Sequence, residues 1–227
     1  VWLNLGDSYS ASGRGGNPPD SEHKKQGRNR GSATGKAWVK PPEGYKRKNL
    51  LGIPWRVAFA LQDDGWYLRQ DIIWHKTNPM PESSRDRCTK AHEYIFLLSK
   101  SSMYYFDMDA IKEKSLGLDV TDKRFAHSGE AYTDSGLRHK RSVWTIAVNN
   151  EGNRYAGAHF ATYPPALIRP CVLAGAPPGG TVLDPFFGSG TTGMVAEEEG
   201  RNWVGIELNP KYCELAKGKL SQGGLFR

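Results

Sequence analysis

The stretch that most restricts the fold of this chain is residues 181–209, TVLDPFFGSGTTGMVAEEEGRNWVGIELN. A short apolar run ends at Asp184, and a glycine-containing loop follows it. Residues 191–199 then have the composition of a short amphipathic helix, and a second apolar run, residues 203–206, ends at Glu207. The order strand, glycine turn, helix, strand and acid predicts half of a doubly wound nucleotide-binding sheet.

The loop after the first strand, Phe187-Gly188-Ser189-Gly190, is predicted to hold a ligand. Glycines at such a turn allow positive φ and close approach of a ligand, and a helix start presents unpaired N–H groups. Glu207 follows at the distance where an acid can accept hydrogen bonds from both ribose hydroxyls. The loop is not a P-loop, because no Lys follows Gly193. It is not a nucleophile elbow either, because Phe187 replaces the first glycine of G-x-S-x-G.

The run Asp184-Pro185-Phe186-Phe187-Gly188-Ser189-Gly190-Thr191-Thr192 resembles the S-adenosylmethionine motif of the DNA amino-methyltransferases, which make N6-methyladenine or N4-methylcytosine. Upstream, His159-Phe160-Ala161-Thr162-Tyr163-Pro164 resembles the family segment that closes the other side of the cofactor pocket. The resemblance covers roughly residues 1–5 and 49–220. It implies S-adenosyl-L-methionine as cofactor, with the loop around its methionine part and Glu207 on its ribose. The cofactor-binding residues implied are His159, Phe160, Ala161, Asp184, Phe186, Gly188, Ser189, Gly190, Thr191, Thr192 and Glu207.

The resemblance also implies the domain organisation. Residues 1–227 would form a single α/β methyltransferase domain with a Rossmann-like sheet, mostly parallel with an antiparallel edge strand and incomplete at the N-terminus. Residues 159–220 would be the cofactor-binding half, and residues 101–142 stand where the family keeps its target-recognition region. Residues 8–48 are rich in Gly, Ser, Pro and basic residues and poor in aliphatic ones, so we predict a mobile basic loop.

Two strands and a helix are predicted ahead of that half. A helix over residues 50–63 would be capped by Asn49, and strands would span residues 66–75 and 92–99. In the family, a strand ending in Trp-x-Lys-x-Asn-x-x-Pro lies beside one that begins His-Glu, at the far edge of the sheet. The matching residues, for which we expect structural roles, are Trp74, Lys76, Asn78, Pro81, His92 and Glu93.

Positive charge is concentrated away from the cofactor motif. The formal net charge is +7, and residues 1–50 carry ten Lys or Arg against four acids, whereas residues 151–227 carry seven of each. This asymmetry fits either a polyanion, for which the resemblance implies double-stranded DNA, or a solvated basic loop. Without a long apolar run or a basic leader, we expect a cytoplasmic protein that does not enter a membrane. Three separated cysteines without a C-x-x-C pair predict reduced thiols and no metal site.

The catalytic motif of the family is Asp, Asn or Ser followed by two prolines and an aromatic residue. No segment of this sequence matches it, and Asn17-Pro18-Pro19-Asp20 has an acid in place of the aromatic. In the subclass with this motif order, the motif precedes the strand that resembles Trp2–Leu5. We therefore expect it to lie outside this chain, assign no catalytic residue, and expect Thr181–Asp184 either to pair with Trp2–Leu5 or to fold poorly.

Two functions from different classes remain. The first is a site-specific DNA methyltransferase that transfers a methyl group from S-adenosyl-L-methionine to adenine N6 or cytosine N4, with a restriction endonuclease as candidate partner. The second is a non-catalytic DNA-binding module that keeps the fold. A nicotinamide dehydrogenase also fits an acid after the second strand, but it does not explain residues 159–164. The target base, the recognition sequence and the oligomeric state stay open.

Overall fold

A computed structural model describes residues 1–10, 43–82, 84–115, 136–148 and 163–223, with side chains up to residue 221. Apart from a single 3₁₀ turn at Asp109–Ile111, its helices and strands are, in chain order, β1 (Trp2–Leu5), α1 (Ile53–Asp63), β2 (Tyr67–His75), β3 (His92–Ser99), β4 (Glu113–Lys114), β5 (Leu137–Arg138), β6 (Val143–Thr145), α2 (Pro165–Gly175), β7 (Thr181–Asp184), α3 (Thr191–Glu198), β8 (Asn202–Gly205) and α4 (Pro210–Gly223).

The larger sheet has the order β1-β3-β2-β6. β3 is antiparallel to both β1 and β2, and β2 is parallel to β6, so three strands share one direction and β3 opposes them. The predicted fold class, mixed α/β with strands mainly in one direction and an antiparallel member, is confirmed. The antiparallel strand is not at the edge, however, because β2 and β6 lie beyond it.

Both faces of β3 are buried, as its continuous apolar run requires. Successive side chains of a strand point to opposite faces, and Ile95 packs with Trp74, Trp144 and α2 residues in one core cluster. Phe96 and Leu98 face the other way, where they pack with Ala58 of α1. β3 therefore anchors the sheet between two helical layers.

The residues at the end of β2 have structural partners, as expected. The Lys76 ammonium pairs with the Glu93 carboxylate of the neighbouring strand. The Asn78 side chain donates to the Val148 carbonyl at 3.0 Å and accepts from the Val148 N–H at 2.7 Å. These contacts join the end of β2 to β3 and to the chain that follows β6.

α1 ends where the sequence predicts but begins later, at Ile53 instead of residue 50. Asn49 does not cap it, because the Asn49 side-chain amide donates to the Leu50 carbonyl. The Asp7 carboxylate, just beyond β1, accepts a hydrogen bond from the Ile53 N–H at 3.1 Å. The cap therefore comes from a residue distant in sequence, which a local pattern cannot reveal.

β7 and β8 form a separate two-stranded parallel sheet. Within the described residues β7 pairs only with β8, and β1 only with β3, so the expected pairing of Thr181–Asp184 with Trp2–Leu5 is absent. Leu183, Val204 and Ile206 are 60%, 50% and 51% exposed. Parallel strands are normally buried on both faces, and here one face of the pair is open.

Parts of the two predicted regions fall within the described residues. Ser8–Ser10 and residues 43–48 are the described ends of the predicted basic loop, and Ser10 is buried there. Residues 101–115 and 136–142 of the predicted target-recognition region contain the β4–β5 pair. No helix in the described ranges has the length and apolar character to cross a bilayer.

Hydrogen exchange should distinguish the two sheets. We expect uniformly slow exchange along β3, which is paired on both sides, and alternating slow and fast amides along β7, which is paired on one side. Exchange measured by NMR at Tyr94–Leu98 and at Val182–Asp184 checks this. Uniform protection of β7 would contradict one-sided pairing.

Candidate functional site

Parallel pairing of β7 and β8 brings two carboxylates to the same end of the small sheet. Asp184, the last residue of β7, lies opposite Gly205, the last residue of β8. Glu207 follows two positions later and lies near the loop that starts after Asp184. Crevices at the carboxyl ends of parallel strands are where open α/β sheets bind ligands.

The loop between β7 and α3 is a tight turn that depends on two glycines. Gly188 and Gly190 have φ of 54° and 80°, a left-handed conformation that side chains disfavour. The Gly190 N–H donates to the Phe187 carbonyl at 3.0 Å, and the Phe187 N–H donates to the Ile206 carbonyl at 2.9 Å. The turn is thereby fastened to the residues after β8, and α3 begins at Thr191.

The buried side chain of Phe187 anchors the loop to α3 and β8. Its ring is 7% exposed and stacks on Trp203 with a centroid distance of 4.9 Å. A Cβ at Gly205 would lie 2.4 Å from the Phe187 ring, and one at Gly193 would lie 2.7 Å from it. These two glycines are therefore needed for close packing against the Phe187 ring.

Asp184 is held in a hydrogen-bond network. One carboxylate oxygen accepts from the Phe186 N–H at 2.9 Å. The other accepts from the Thr192 hydroxyl at 2.5 Å and from the Tyr163 hydroxyl at 3.1 Å, and the two hydroxyls are 2.5 Å apart. The network joins the start of the loop, the first turn of α3 and the chain before α2. It gives Asp184 the role of positioning the loop.

Burial, together with the negative charge of Asp184, raises the pKa of Tyr163 above its ordinary value. A phenol with a raised pKa stays protonated at neutral pH and can donate. The Tyr163 hydroxyl is therefore a lasting donor to the Asp184 carboxylate.

Glu207 faces the loop. One of its carboxylate oxygens accepts from the Gly188 N–H at 2.9 Å, and the other accepts from the Asn209 N–H at 2.8 Å. A carboxylate oxygen can accept more than one hydrogen bond, so these contacts are compatible with additional bonds from a ligand. The Glu207 side chain thus fixes the loop and also presents a carboxylate at the crevice.

The start of α3 is partly shielded by α4. The Lys219 ammonium donates to the Thr191 hydroxyl at 2.9 Å. Burial lowers the pKa of Lys219, and the charge of Glu198 opposes that shift. Thr191 and Thr192 are buried, whereas Phe186 is 85% exposed at the opening of the loop.

The predicted site residues fall into two groups. The structure brings together the following eight around one loop: Asp184, Phe186, Gly188, Ser189, Gly190, Thr191, Thr192 and Glu207. His159, Phe160 and Ala161 lie outside the described residues, so their cofactor contacts stay a prediction. In the described ranges no group of three or more His, Cys, Asp or Glu is placed to bind a metal ion.

Sequence reasoning missed the residues that support the loop from beneath. The sequence predicts Tyr163 as part of the second motif and Phe187 as part of the ligand-binding loop, but it does not indicate the supporting contacts that either side chain makes. The available signal was the number of small residues around an aromatic, since Gly193 and Gly205 leave room for a ring.

Comparison with known proteins identifies the family of this chain. A family model for DNA methylases that act on N6 or N4 matches residues 1–218. The Type II methyltransferase M.Cfr9I of Citrobacter freundii is 47% identical over 222 residues, which cover 97% of this chain and 64% of the relative. The Type II methyltransferase M.SmaI of Serratia marcescens is 50% identical over 220 residues, which cover 97% and 66%. The chain thus spans a little under two thirds of the length of these curated relatives.

Solved structures show the same fold. The cytosine-N4-specific PvuII DNA methyltransferase matches with a TM-score of 0.59 at 20% identity, over 80% of this chain and 64% of that one. The complex of M1.HpyAVI with SAM matches with a TM-score of 0.51 at 24% identity, over 74% and 70%. At these identities the likeness concerns the fold.

Substitution of Gly205 tests the packing under the loop. We expect Gly205→Ala to lower the free energy of unfolding by about 1–3 kcal/mol, because the new methyl group overlaps Phe187. The control is Gly218→Ala in α4, where a Cβ has open space, and which should raise stability by about 0.5–1 kcal/mol. Urea denaturation measures both, and an unchanged stability of Gly205→Ala would contradict the packing.

Removal of one hydroxyl tests the Asp184 network. Tyr163→Phe should lower the free energy of unfolding by about 1–2 kcal/mol, because Asp184 and Thr192 lose a buried partner. The control Tyr67→Phe removes the hydroxyl of a tyrosine that is 46% exposed and should change stability by less than about 0.5 kcal/mol. Equal effects in thermal or urea unfolding would rule out a special contribution of Tyr163.

Proposed function

Since the chain belongs to the N6/N4 DNA methylase family, we propose that it binds S-adenosyl-L-methionine and duplex DNA as part of a site-specific DNA methyltransferase. The family uses this methyl donor, and Type II methyltransferases are among its near relatives. The acceptor in this proposal is the exocyclic amino group of adenine (N6) or cytosine (N4). The observation that carries the proposal is the Glu207 carboxylate, which lies against the glycine loop at the carboxyl end of a parallel pair.

The residues around the loop fit this cofactor. Adenosine has a ribose whose hydroxyls are donors, and Glu207 presents carboxylate oxygens at the tip of the second strand. The methionine part needs a backbone that a ligand can approach closely, which Gly188 and Gly190 provide. Phe186, exposed at the loop opening, offers an apolar surface to the same ligand.

When bound, the cofactor supplies an activated methyl group on a sulfonium centre. The chain's own contribution in this proposal is to hold that group in place. Glu207 fixes the sugar and the Asp184 network fixes the loop, so positioning is the main catalytic effect of this half. No catalytic residue is assigned to this chain, which lacks the Pro-Pro-aromatic pattern.

That missing pattern favours one alternative, a DNA-binding module that keeps the fold without the reaction. Such a module would bind DNA and leave it unmodified, so the two functions differ in the fate of the DNA. We further propose a cytoplasmic location and a restriction endonuclease with the same target as functional partner, on the basis of the Type II relatives.

The function is tested on genomic DNA. Expression of the full gene in cells that lack DNA methylation should yield N6-methyladenine or N4-methylcytosine, measured by mass spectrometry of nucleosides. The identity of the modified nucleoside also decides the target base. Unmodified DNA, with duplex binding retained in vitro, would support the non-catalytic alternative.

The cofactor role of Glu207 is tested by calorimetry. Glu207→Gln keeps the shape of the side chain but removes its charge, so S-adenosylmethionine affinity should fall about tenfold or more, since bonds to a charged group contribute about 1.5–3 kcal/mol each. The control Glu214→Gln changes the same charge at an exposed position of α4 and should leave affinity unchanged. Equal affinity of both variants would remove Glu207 from the site.

A further inference from the structure

A second concave region lies away from the glycine loop, at the carboxyl ends of β1 and β2. It has a volume of about 780 Å³, and we call it the basic cavity. Three separate segments line it: residues 7–10 after β1, residues 47–48 before α1, and residues 81–82, 84–87 and 90 between β2 and β3. A cavity assembled from segments so distant in sequence depends on the tertiary fold.

The floor of the basic cavity is fixed by backbone hydrogen bonds. The Ser10 N–H donates to the Asn49 carbonyl at 2.8 Å, and the Lys48 N–H donates to the Ser10 carbonyl at 3.1 Å. The Leu51 N–H donates to the Ser8 carbonyl at 2.9 Å. The segment after β1 and the segment before α1 are therefore held together as one rigid piece.

Lys48 is in an unusual backbone conformation within this piece. Its φ is 66°, and no other non-glycine residue in the described part of the chain has a positive φ. Left-handed backbone in a residue other than glycine persists only where its surroundings enforce it, and it is concentrated at functional sites. Here it places the Lys48 side chain on the wall of the cavity.

The wall of the basic cavity has more cationic than anionic side chains. It carries five cationic side chains and three carboxylates, namely Arg47, Lys48, Arg85, Arg87 and Lys90 against Asp7, Glu82 and Asp86. Each carboxylate is already engaged. Asp86 pairs with Lys48 at 2.6 Å and Glu82 with Arg87 at 2.6 Å, and Asp7 accepts from the N–H groups of Ser8 and Ile53.

On the segment between β2 and β3, two cations remain for a ligand. Neither the Arg85 guanidinium nor the Lys90 ammonium forms an ion pair with another described residue. Arg87 is held by stacking over the Tyr9 ring at 3.9 Å as well as by Glu82. The exposed Lys48–Asp86 pair is of a kind that contributes little to stability, so Lys48 can exchange its partner for another anion.

The polar floor adds a further feature. Ser10 is 2% exposed and lines the cavity, and its hydroxyl has no hydrogen-bond partner among the described residues. Buried polar groups are nearly always paired. An unpaired hydroxyl below a cationic wall fits a site that is completed by a polar ligand.

We propose that the basic cavity binds phosphate groups of the duplex DNA backbone, with Arg85 and Lys90 as the principal contacts. The inference rests on the proposed function and deepens it by naming where the DNA backbone is held. The cavity is open and its cations come from separate segments, which suits successive phosphates along a strand. Phosphate contacts position a protein on DNA and carry no sequence information directly.

Salt dependence of DNA binding tests the proposal. Each neutralised phosphate contributes about 0.9 to the slope of log K against log salt concentration. In fluorescence anisotropy with short duplexes, Arg85→Gln and Lys90→Gln should each reduce that slope by about 0.9. The same reduction is expected on two duplexes of unrelated sequence.

Two controls distinguish the effect of a charge in the basic cavity from the effect of the protein's net charge. Lys217→Gln removes one positive charge on the exposed side of α4 and should leave the slope unchanged. Arg85→Lys keeps the charge and should retain the slope of the original protein. S-adenosylmethionine affinity should be the same in all four variants, which shows that they are folded.

The outcomes distinguish this inference from the proposed function. If Arg85→Gln and Lys90→Gln bind duplex DNA with the original slope, the basic cavity is not a phosphate site, although the methyltransferase proposal stands. A reduction of the slope on only one of the two duplex sequences would indicate base contacts and would also overturn the phosphate-site proposal. If the unsubstituted protein binds the cofactor but no duplex, the DNA part of the proposed function fails together with the cavity.

Discussion

The parallel alignment of β7 with β8 is the constraint on which the rest of the site depends. Because both strands end at the same edge, Asp184 at the end of β7 and Glu207 just after β8 lie beside one loop. The loop is then closed by hydrogen bonds to the residues just after β8, from the Phe187 N–H to the Ile206 carbonyl and from the Gly188 N–H to the Glu207 carboxylate. A ligand at this place meets a preformed backbone, which reduces the entropy lost on binding.

The glycines in this half of the chain have two different structural roles. Gly188 and Gly190 supply the backbone conformation of the turn, whereas Gly193 and Gly205 make room for the Phe187 ring. Conformational freedom and close packing are different physical reasons for a glycine. A single glycine-rich stretch here serves both, and the turn would lose its support without either.

Local patterns were enough to predict β1, β3 and β7 with their observed bounds, because each is a short apolar run with a clear stop. They also placed Glu207 beside the loop through the spacing of the motif. They could not reveal the Asp7 cap of α1 or the Tyr163 bond to Asp184. Both join residues that meet only in the tertiary fold, as does the basic cavity, whose three segments come together beyond the sheet.

We propose that the adenosyl cofactor binds at the loop held by Glu207. An NMR titration of ¹⁵N-labelled protein with S-adenosylhomocysteine tests it most directly, because the Gly188 and Gly190 amides report on the loop itself. We expect the largest chemical-shift changes at these amides and at Glu207, with little change along β3. Large changes elsewhere, with the loop amides unmoved, would contradict it.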